Sequence, residues 1–247
     1  MKIFKATVKG EFHLDHNEEY VVGEKIGRDT GLIGVLDGCS AGEESHFAST
    51  LTGKILKKIS REYDYKESFF KSEDDLRIFL KKIIQLLFQE LKAIKQQLNL
   101  NRYELLSTLV IALVNHKKCK AELLTIGDGL ICCNGVTTEF DQDNEPDYLG
   151  YHLEEDFDIW YKKQTQFLPL ENIRKLSIST DGIYTFESTV NENPIQEDIP
   201  NLQEYFFNNN DFINNENMLS KKLILLKNEL SISPNDDFSI VRIDLEN

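Results

Sequence analysis

The sequence has no apolar run near the eighteen or so residues that a membrane-spanning helix needs. Its longest candidates, Thr108–Val114 and Leu123–Ile126, have the length of buried strands. The first ten residues alternate Lys2, Lys5 and Lys9 with Ile3, Phe4 and Val8, a pattern without the apolar centre of a secretory signal. Cysteine is scarce: Cys39, Cys119, Cys132 and Cys133 form no CxxC pair. That spacing argues against a zinc site and against a disulfide framework. On a strand, the adjacent Cys132 and Cys133 would point to opposite faces. The expectation is a cytoplasmic protein with free thiols and no membrane partner. Positive charge is also short, with 28 Lys+Arg against 42 Asp+Glu and a formal charge of −14. Affinity for a phosphate backbone comes from Lys and Arg, so nucleic acid is not an expected partner. A phosphate substrate stays open, because a bound metal can supply the missing positive charge.

What is present reads as an α+β chain. With 247 residues, no internal repeat and no linker-like stretch, a single domain spanning 1–247 is expected. Residues 1–9, 19–24 and Gly31–Asp37 have strand character. Phe47, Leu51, Ile55, Leu56 and Ile59 recur at helical spacing from Glu43 to about Tyr63, with Ser40 as a candidate cap. A second helix is predicted from about Glu73 to Leu98. Short β-rich runs follow at Leu109–Val114, Ala121–Ile126, Leu130–Cys133 and Val136–Phe140, with Asn134-Gly135 as a hairpin signal. The acidic stretch Asp141–Tyr161 has no Lys or Arg and reads as loop. Strands resume at Lys175–Ser179 and Ile183–Phe186. Helical patterns cover about Ile199–Phe207 and Glu216–Leu230, and Phe238–Leu245 closes the chain as a strand. Helices grouped between hairpin-linked strands suggest a sandwich rather than alternating βαβ units.

Three acidic motifs share one form. In Val35-Leu36-Asp37-Gly38, Ser177–Gly182 and Asn235–Val241 a carboxylate abuts an apolar strand, and Thr125-Ile126-Gly127-Asp128-Gly129 repeats it. An isolated Asp-Gly pair is ordinarily a turn. Several at neighbouring strand ends can converge, and packed carboxylates repel unless a cation joins them. Hard oxygen donors suit Mg²⁺ or Mn²⁺.

The series Asn17-Glu18-Glu19, Val35–Gly38, Ser107-Thr108-Leu109, Ile126–Gly129, Ser179–Gly182 and Asp236–Val241 resembles the protein phosphatase 2C family of metal-dependent serine/threonine phosphatases. The likeness runs over nearly the whole chain, in the family's order. It implies a four-layer α-β-β-α sandwich with two central antiparallel β-sheets and the metal site at one edge. By that resemblance Asp37 bridges two Mn²⁺ or Mg²⁺ ions and the Gly38 carbonyl is a ligand of one. Asp181 and Asp236 hold one ion, Glu18 and Glu19 the other mainly through waters, and Asp128 serves a possible third. The implied reaction is attack on phosphorus by a metal-bridging hydroxide, and the implied partner is a phosphorylated protein.

The family pattern is not complete. Leu14 stands where many members carry a phosphate-clamping arginine. A divergent bacterial branch instead has a Gly-x-x-His element, and Gly10-Glu11-Phe12-His13 resembles it, so His13 is the expected phosphate contact. Cys39 replaces a frequent histidine or methionine, which leaves water or His16 to protonate the leaving group. Two alternatives to a protein phosphatase remain: a pseudophosphatase that binds phosphoproteins without turnover, and a hydrolase of small phosphate esters.

Overall fold

The two most apolar stretches become the middle of a sheet. In a computed structural model that describes residues 1–40, 42, 44–67, 75–142, 145–189 and 200–245, β4 (Leu109–Asn115) and β5 (Lys120–Ile126) pair antiparallel. With β2 (Glu19–Lys25), β3 (Thr30–Asp37) and β8 (Phe167–Leu170) they form a five-stranded sheet in the order β2-β3-β4-β5-β8. A second five-stranded sheet has the order β1-β12-β9-β6-β7, from β1 (Lys2–Val8), β12 (Phe238–Asp244), β9 (Lys175–Ser179), β6 (Gly129–Cys133) and β7 (Val136–Phe140). All recorded pairings are antiparallel. A short ladder joins β10 (Phe186–Ser188) to β11 (Ile232–Pro234).

Three apolar layers bind four layers of structure. Helices α1 (Ser45–Glu67) and α2 (Leu76–Leu98) cover the first sheet: Ile55, Leu56, Leu80, Ile84 and Leu87 pack on Val22, Leu32, Leu36 and Ile111. Ile33, Val35, Val110 and Ala112 meet Ile178, Val241 and Ile243 between the sheets. On the far side α4 (Met218–Leu230), with Phe206 and Phe207, covers Phe4, Leu130, Phe238 and Ile240 of the second sheet. This is the four-layer α+β sandwich expected. Period-two alternation explains the burial: along β3, Leu32 and Leu36 face the helices while Ile33 and Val35 face the other sheet. Asp37 shares their parity, so it ends the inter-sheet layer.

Local chemistry sets the element ends. Asp75 caps α2 by accepting from the Arg77 and Ile78 amides, and Asn99 closes it in a left-handed conformation. Asn134 (φ 51°) and Gly135 (φ 88°) make the β6–β7 hairpin turn. Cys132 packs outward and Cys133 toward the inter-sheet layer, and all four thiols are free.

Several expectations need correction. Helix α1 begins at Ser45, not near Ser40, because Cys39 bonds to the Leu106 carbonyl and Gly42 turns back onto Cys39; Glu43 lies outside the described residues, as do Glu73 and Ile199. The acidic stretch is not all loop. It holds a helical turn at Leu149–His152 and α3 (Phe157–Lys163), capped by Asp156, with Trp160 and Tyr161 buried against Phe88 and Phe167. Glu154 there pairs with Lys92 and Lys95. Asp181–Thr185 is a helical turn rather than a strand, and β10 starts only at Phe186.

Two buried cations hold the Asn-rich loop. Lys222 donates to the carbonyls of Tyr205 and Asn209, and Arg242 donates to the carbonyl of Asn209 and to Asn210 Oδ1; both residues are fully buried. Burial, with Arg242 next in influence, lowers Lys222 to about 8. A depressed lysine costs stability below its folded pKa, and the cost lifts as pH rises from about 8 to 10.5. Lys222→Met removes the Nζ donor from the Tyr205 carbonyl and one of two donors from the Asn209 carbonyl, and is expected to cost about 1–3 kcal/mol in urea unfolding at pH 7. The variant should also lack the wild-type gain in stability between pH 8 and 10.5.

Candidate active site

The inter-sheet layer changes from apolar to acidic at one edge. Glu19 opens β2 directly opposite Asp37, which ends β3. From the other sheet, Thr180 and Asp181 follow β9, and Asp236 and Asp237 lead into β12. Like charges facing each other across a ladder are unfavourable on their own, and the electrostatics record that conflict. Burial pushes the Asp37 carboxyl well above the usual carboxylate range, and the charges of Asp181, Asp236, Glu18 and Asp237 push it further. Glu19, 5% exposed, is raised by burial and then by Asp37, against the opposing influence of the Ser239 and Thr180 hydroxyls. Its Oε2 is buried without a hydrogen-bond partner. Asp181 keeps solvent access on one side, yet loss of hydration and the nearby Asp236 still raise it.

The loop between β1 and β2 is tied to this edge by one carboxylate. Buried Asp237 accepts from the Gly10 amide at 2.7 Å and from the Glu18 amide. Glu18 in turn accepts from the Ser45 hydroxyl at the start of α1, and its carbonyl accepts from the Gly38 amide and the Ser49 hydroxyl. His13 stands between the acids, with Nε2 3.0 Å from Asp236 Oδ1 and Nδ1 3.1 Å from Asp237 Oδ2. The Nδ1 contact is not a directed hydrogen bond. Two glycines permit the closeness. A Cβ on Gly38 would lie 2.1 Å from the Ser45 carbonyl oxygen, and one on Gly182 would lie 1.9 Å from that of Asp237. Glycine follows the acid at both places because another backbone passes there.

Of the residues expected from the sequence, Glu18, Glu19, Asp37, Asp181 and Asp236 interact as one cluster, with Gly38 beside it and His13 against Asp236. Asp128 is engaged differently: in the β5–β6 turn its Oδ1 accepts from the Gln142 amide, and its charge is not among the leading influences on Asp37, Glu19 or Asp181. Sequence reasoning passed over two groups. Asp141 raises Asp181 from the acidic stretch. Burial, and then its hydrogen bond with Cys39, raise the Tyr148 hydroxyl. The Asn235–Val241 motif includes Asp237 but gives no sign that it holds the β1–β2 loop. A spread of acidic residues over four loops gave no signal for the first, and tertiary packing alone brings Tyr148 to Cys39.

Beside the cluster lies an open cleft of about 750 Å³, bordered by Phe12, Leu14, His16 and His46 as well as His13 and Glu18. The His16 and His46 rings lie against each other, centroids 4.1 Å apart and planes tilted by 36°.

Among the described residues no three His, Cys, Asp or Glu side chains already form a cage able to hold an ion. The donor set nevertheless fits a hard divalent cation: oxygen ligands, mutual repulsion, and the unpartnered Glu19 Oε2. No basic side chain is among the leading influences on Asp37 or Glu19.

The family profile described as protein phosphatase 2C matches residues 23–223. No curated protein matches the chain significantly. Solved structures share the fold. A bacterial serine phosphatase superposes with a TM-score of 0.61 at 14% identity, covering 100% of this chain and 98% of its own. Stp1, a serine/threonine phosphatase from Staphylococcus aureus, gives 0.59 at 14% identity, covering 100% and 96%. RsbX in complex with magnesium gives 0.54 at 12% identity, covering 97% and 92%. With the profile lying over most of the sequence and the two-sheet sandwich shared end to end, this chain belongs to the protein phosphatase 2C family.

Proposed function

We propose that the chain is a metal-dependent protein phosphatase acting on phosphoserine or phosphothreonine. The observation that carries the proposal is the cluster of Glu18, Glu19, Asp37, Asp181 and Asp236, whose charges meet at one sheet edge with no lysine or arginine among the leading influences on Glu19, Asp37 or Asp181. Magnesium bound to RsbX supports it by analogy. Two Mn²⁺ or Mg²⁺ ions, when bound, would supply an activated water and neutralise phosphoryl charge. Asp37, between the two groups of acids, would bridge them, with the Gly38 carbonyl, Asp181 and Asp236 on one side and Glu18 and Glu19 on the other. Asp128, held at Gln142, would serve a third ion only.

The remaining side chains orient this set. His13 positions Asp236, and the phosphate contact expected of it requires Nε2 to leave that carboxylate. Asp237 fixes the loop that carries Glu18. A cytoplasmic location belongs to the same proposal, in keeping with four free thiols and no described helix long and apolar enough to cross a membrane. The exposed Leu14, where a clamping arginine is expected, favours the second reading, a phosphoprotein binder without turnover.

Hydrolysis of p-nitrophenyl phosphate and of a phosphothreonine peptide separates the two. Wild type should turn over both with Mn²⁺ and stop with a chelator, and Asp181→Asn should be strongly impaired. Chelator-insensitive turnover would contradict the metal reading. Peptide binding without turnover would establish the binder instead.

A further inference from the structure

The β1–β2 loop displays two apolar side chains to solvent. Leu14 is 87% exposed and Phe12 76% exposed, the largest values among exposed large hydrophobics of the described residues. A lone exposed apolar residue is ordinary. Here two of them flank His13 on the rim of one cleft, and the backbone beneath is fixed. The Glu11 amide donates to the Pro234 carbonyl at 3.0 Å, the Phe12 amide to the Asn235 carbonyl at 2.9 Å, and Lys9 Nζ to the Leu14 carbonyl at 2.8 Å. Binding against a pinned loop loses little conformational entropy, a condition that favours recognition.

The cleft that Phe12 and Leu14 border adjoins the acidic cluster: Glu18 belongs to both, and His13 lines the cleft while its Nε2 lies 3.0 Å from Asp236. A phosphoryl group held at the cluster therefore places the atoms next to it in this cleft. At about 750 Å³ the space exceeds a phosphoryl group and matches several residues of polypeptide. Its walls carry Asp15, Glu18 and Glu44 beside the paired rings of His16 and His46. Three carboxylates repel a second phosphate or an acidic flank, while the rim offers apolar contact.

We propose that Phe12 and Leu14 form a docking edge for the polypeptide around the phosphorylated residue, selecting an apolar side chain within two residues of it and rejecting acidic ones. The inference rests on the phosphatase reading and specifies its substrate.

The test uses the full chain with Mn²⁺ and three phosphothreonine peptides differing only in the flanking residues, which are Leu, Ser or Glu. Wild type should favour the Leu peptide over the Ser peptide about tenfold in kcat/KM, chiefly through KM, the order expected of one buried apolar side chain. The Glu peptide should be the poorest. In the double variant Phe12→Ser/Leu14→Ser the Leu-over-Ser ratio should fall to about one. No preference in wild type, or a preference that survives in the double variant, would overturn the proposal. Turnover of p-nitrophenyl phosphate by wild type reports separately on the parent reading. If wild type hydrolyses nothing, fluorescence anisotropy with the same peptides gives the same ratios for binding, and an absent or unchanged preference overturns the docking edge there too.

Discussion

Asp37→Asn should lower Mn²⁺-dependent hydrolysis by at least about 10³-fold, because it removes the acid proposed to bridge two ions. The same substitution should make the metal-free protein more stable. Asp37 is surrounded by Asp181, Asp236, Glu18 and Asp237, and its carboxyl is raised by burial and by their charge. An amide of the same shape relieves that repulsion. Its backbone bonds to Thr108 are unaffected, since the Asp37 amide donates to the Thr108 hydroxyl and the Thr108 amide to the Asp37 carbonyl. The expected gain is on the order of 1–3 kcal/mol without metal, the scale of an uncompensated buried charge after relaxation.

The pH dependence follows in sign. Asp37, Glu19 and Asp181 all have folded pKa values above their unfolded ones, so the folded state binds more protons as pH falls toward the carboxylate range. Wild type without metal should therefore gain stability from these groups on acidification from neutral pH toward the unfolded value near 4. Added Mn²⁺ should confer a comparable gain at neutral pH by mass action, and Asp37→Asn should blunt both responses. Thermal unfolding at pH 5 and 7.5, with and without Mn²⁺, reads all of this. A variant that is less stable without metal, or that retains turnover, would contradict the bridging role.

Legibility in the sequence followed the reach of local signals. The boundaries of β9 match because Leu176 and Ile178 alternate with Ser177 and Ser179 under an inner and an outer layer. The hairpin at Asn134-Gly135 was legible because two consecutive positive φ values demand those residues. Helix α3 was hidden by composition: Phe157, Trp160 and Tyr161 have helical spacing, but the surrounding acids suggested solvent. Those acids are spent on Lys92, Lys95, His152 and the cap of α3. Strands β8 and β11 are four and three residues long and exist through their partners. At the site, the acids at strand ends were legible as a series, since each abuts an apolar run. The roles of Asp237, Asp141 and Tyr148 depend on contacts across 40 to over 200 residues of chain, and no local pattern encodes them.

Adjacent aspartates should separate when each is replaced. Asp237 is 2% exposed, whereas the Asp236 side chain is 58% exposed. Asp237 accepts from the Gly10 and Glu18 amides and faces His13 Nδ1 at 3.1 Å, so it closes a loop that spans over 200 residues. Asp237→Ala leaves two amides without their acceptor and frees the segment that carries His13 and Glu18. The expected cost is about 2–4 kcal/mol in urea unfolding, with activity falling about 100-fold as Glu18 loses its position. Asp237→Asn keeps one acceptor oxygen and should lie between. Asp236→Ala has a different expectation. Its carboxylate accepts from the Asp237 amide and contacts His13 from a largely solvated position, so stability should change by about 1 kcal/mol or less. Activity should nevertheless fall as far as in Asp37→Asn, because a proposed metal ligand is lost. Equal stability losses in the two alanine variants would refute this division between a residue that holds the site together and one that holds an ion.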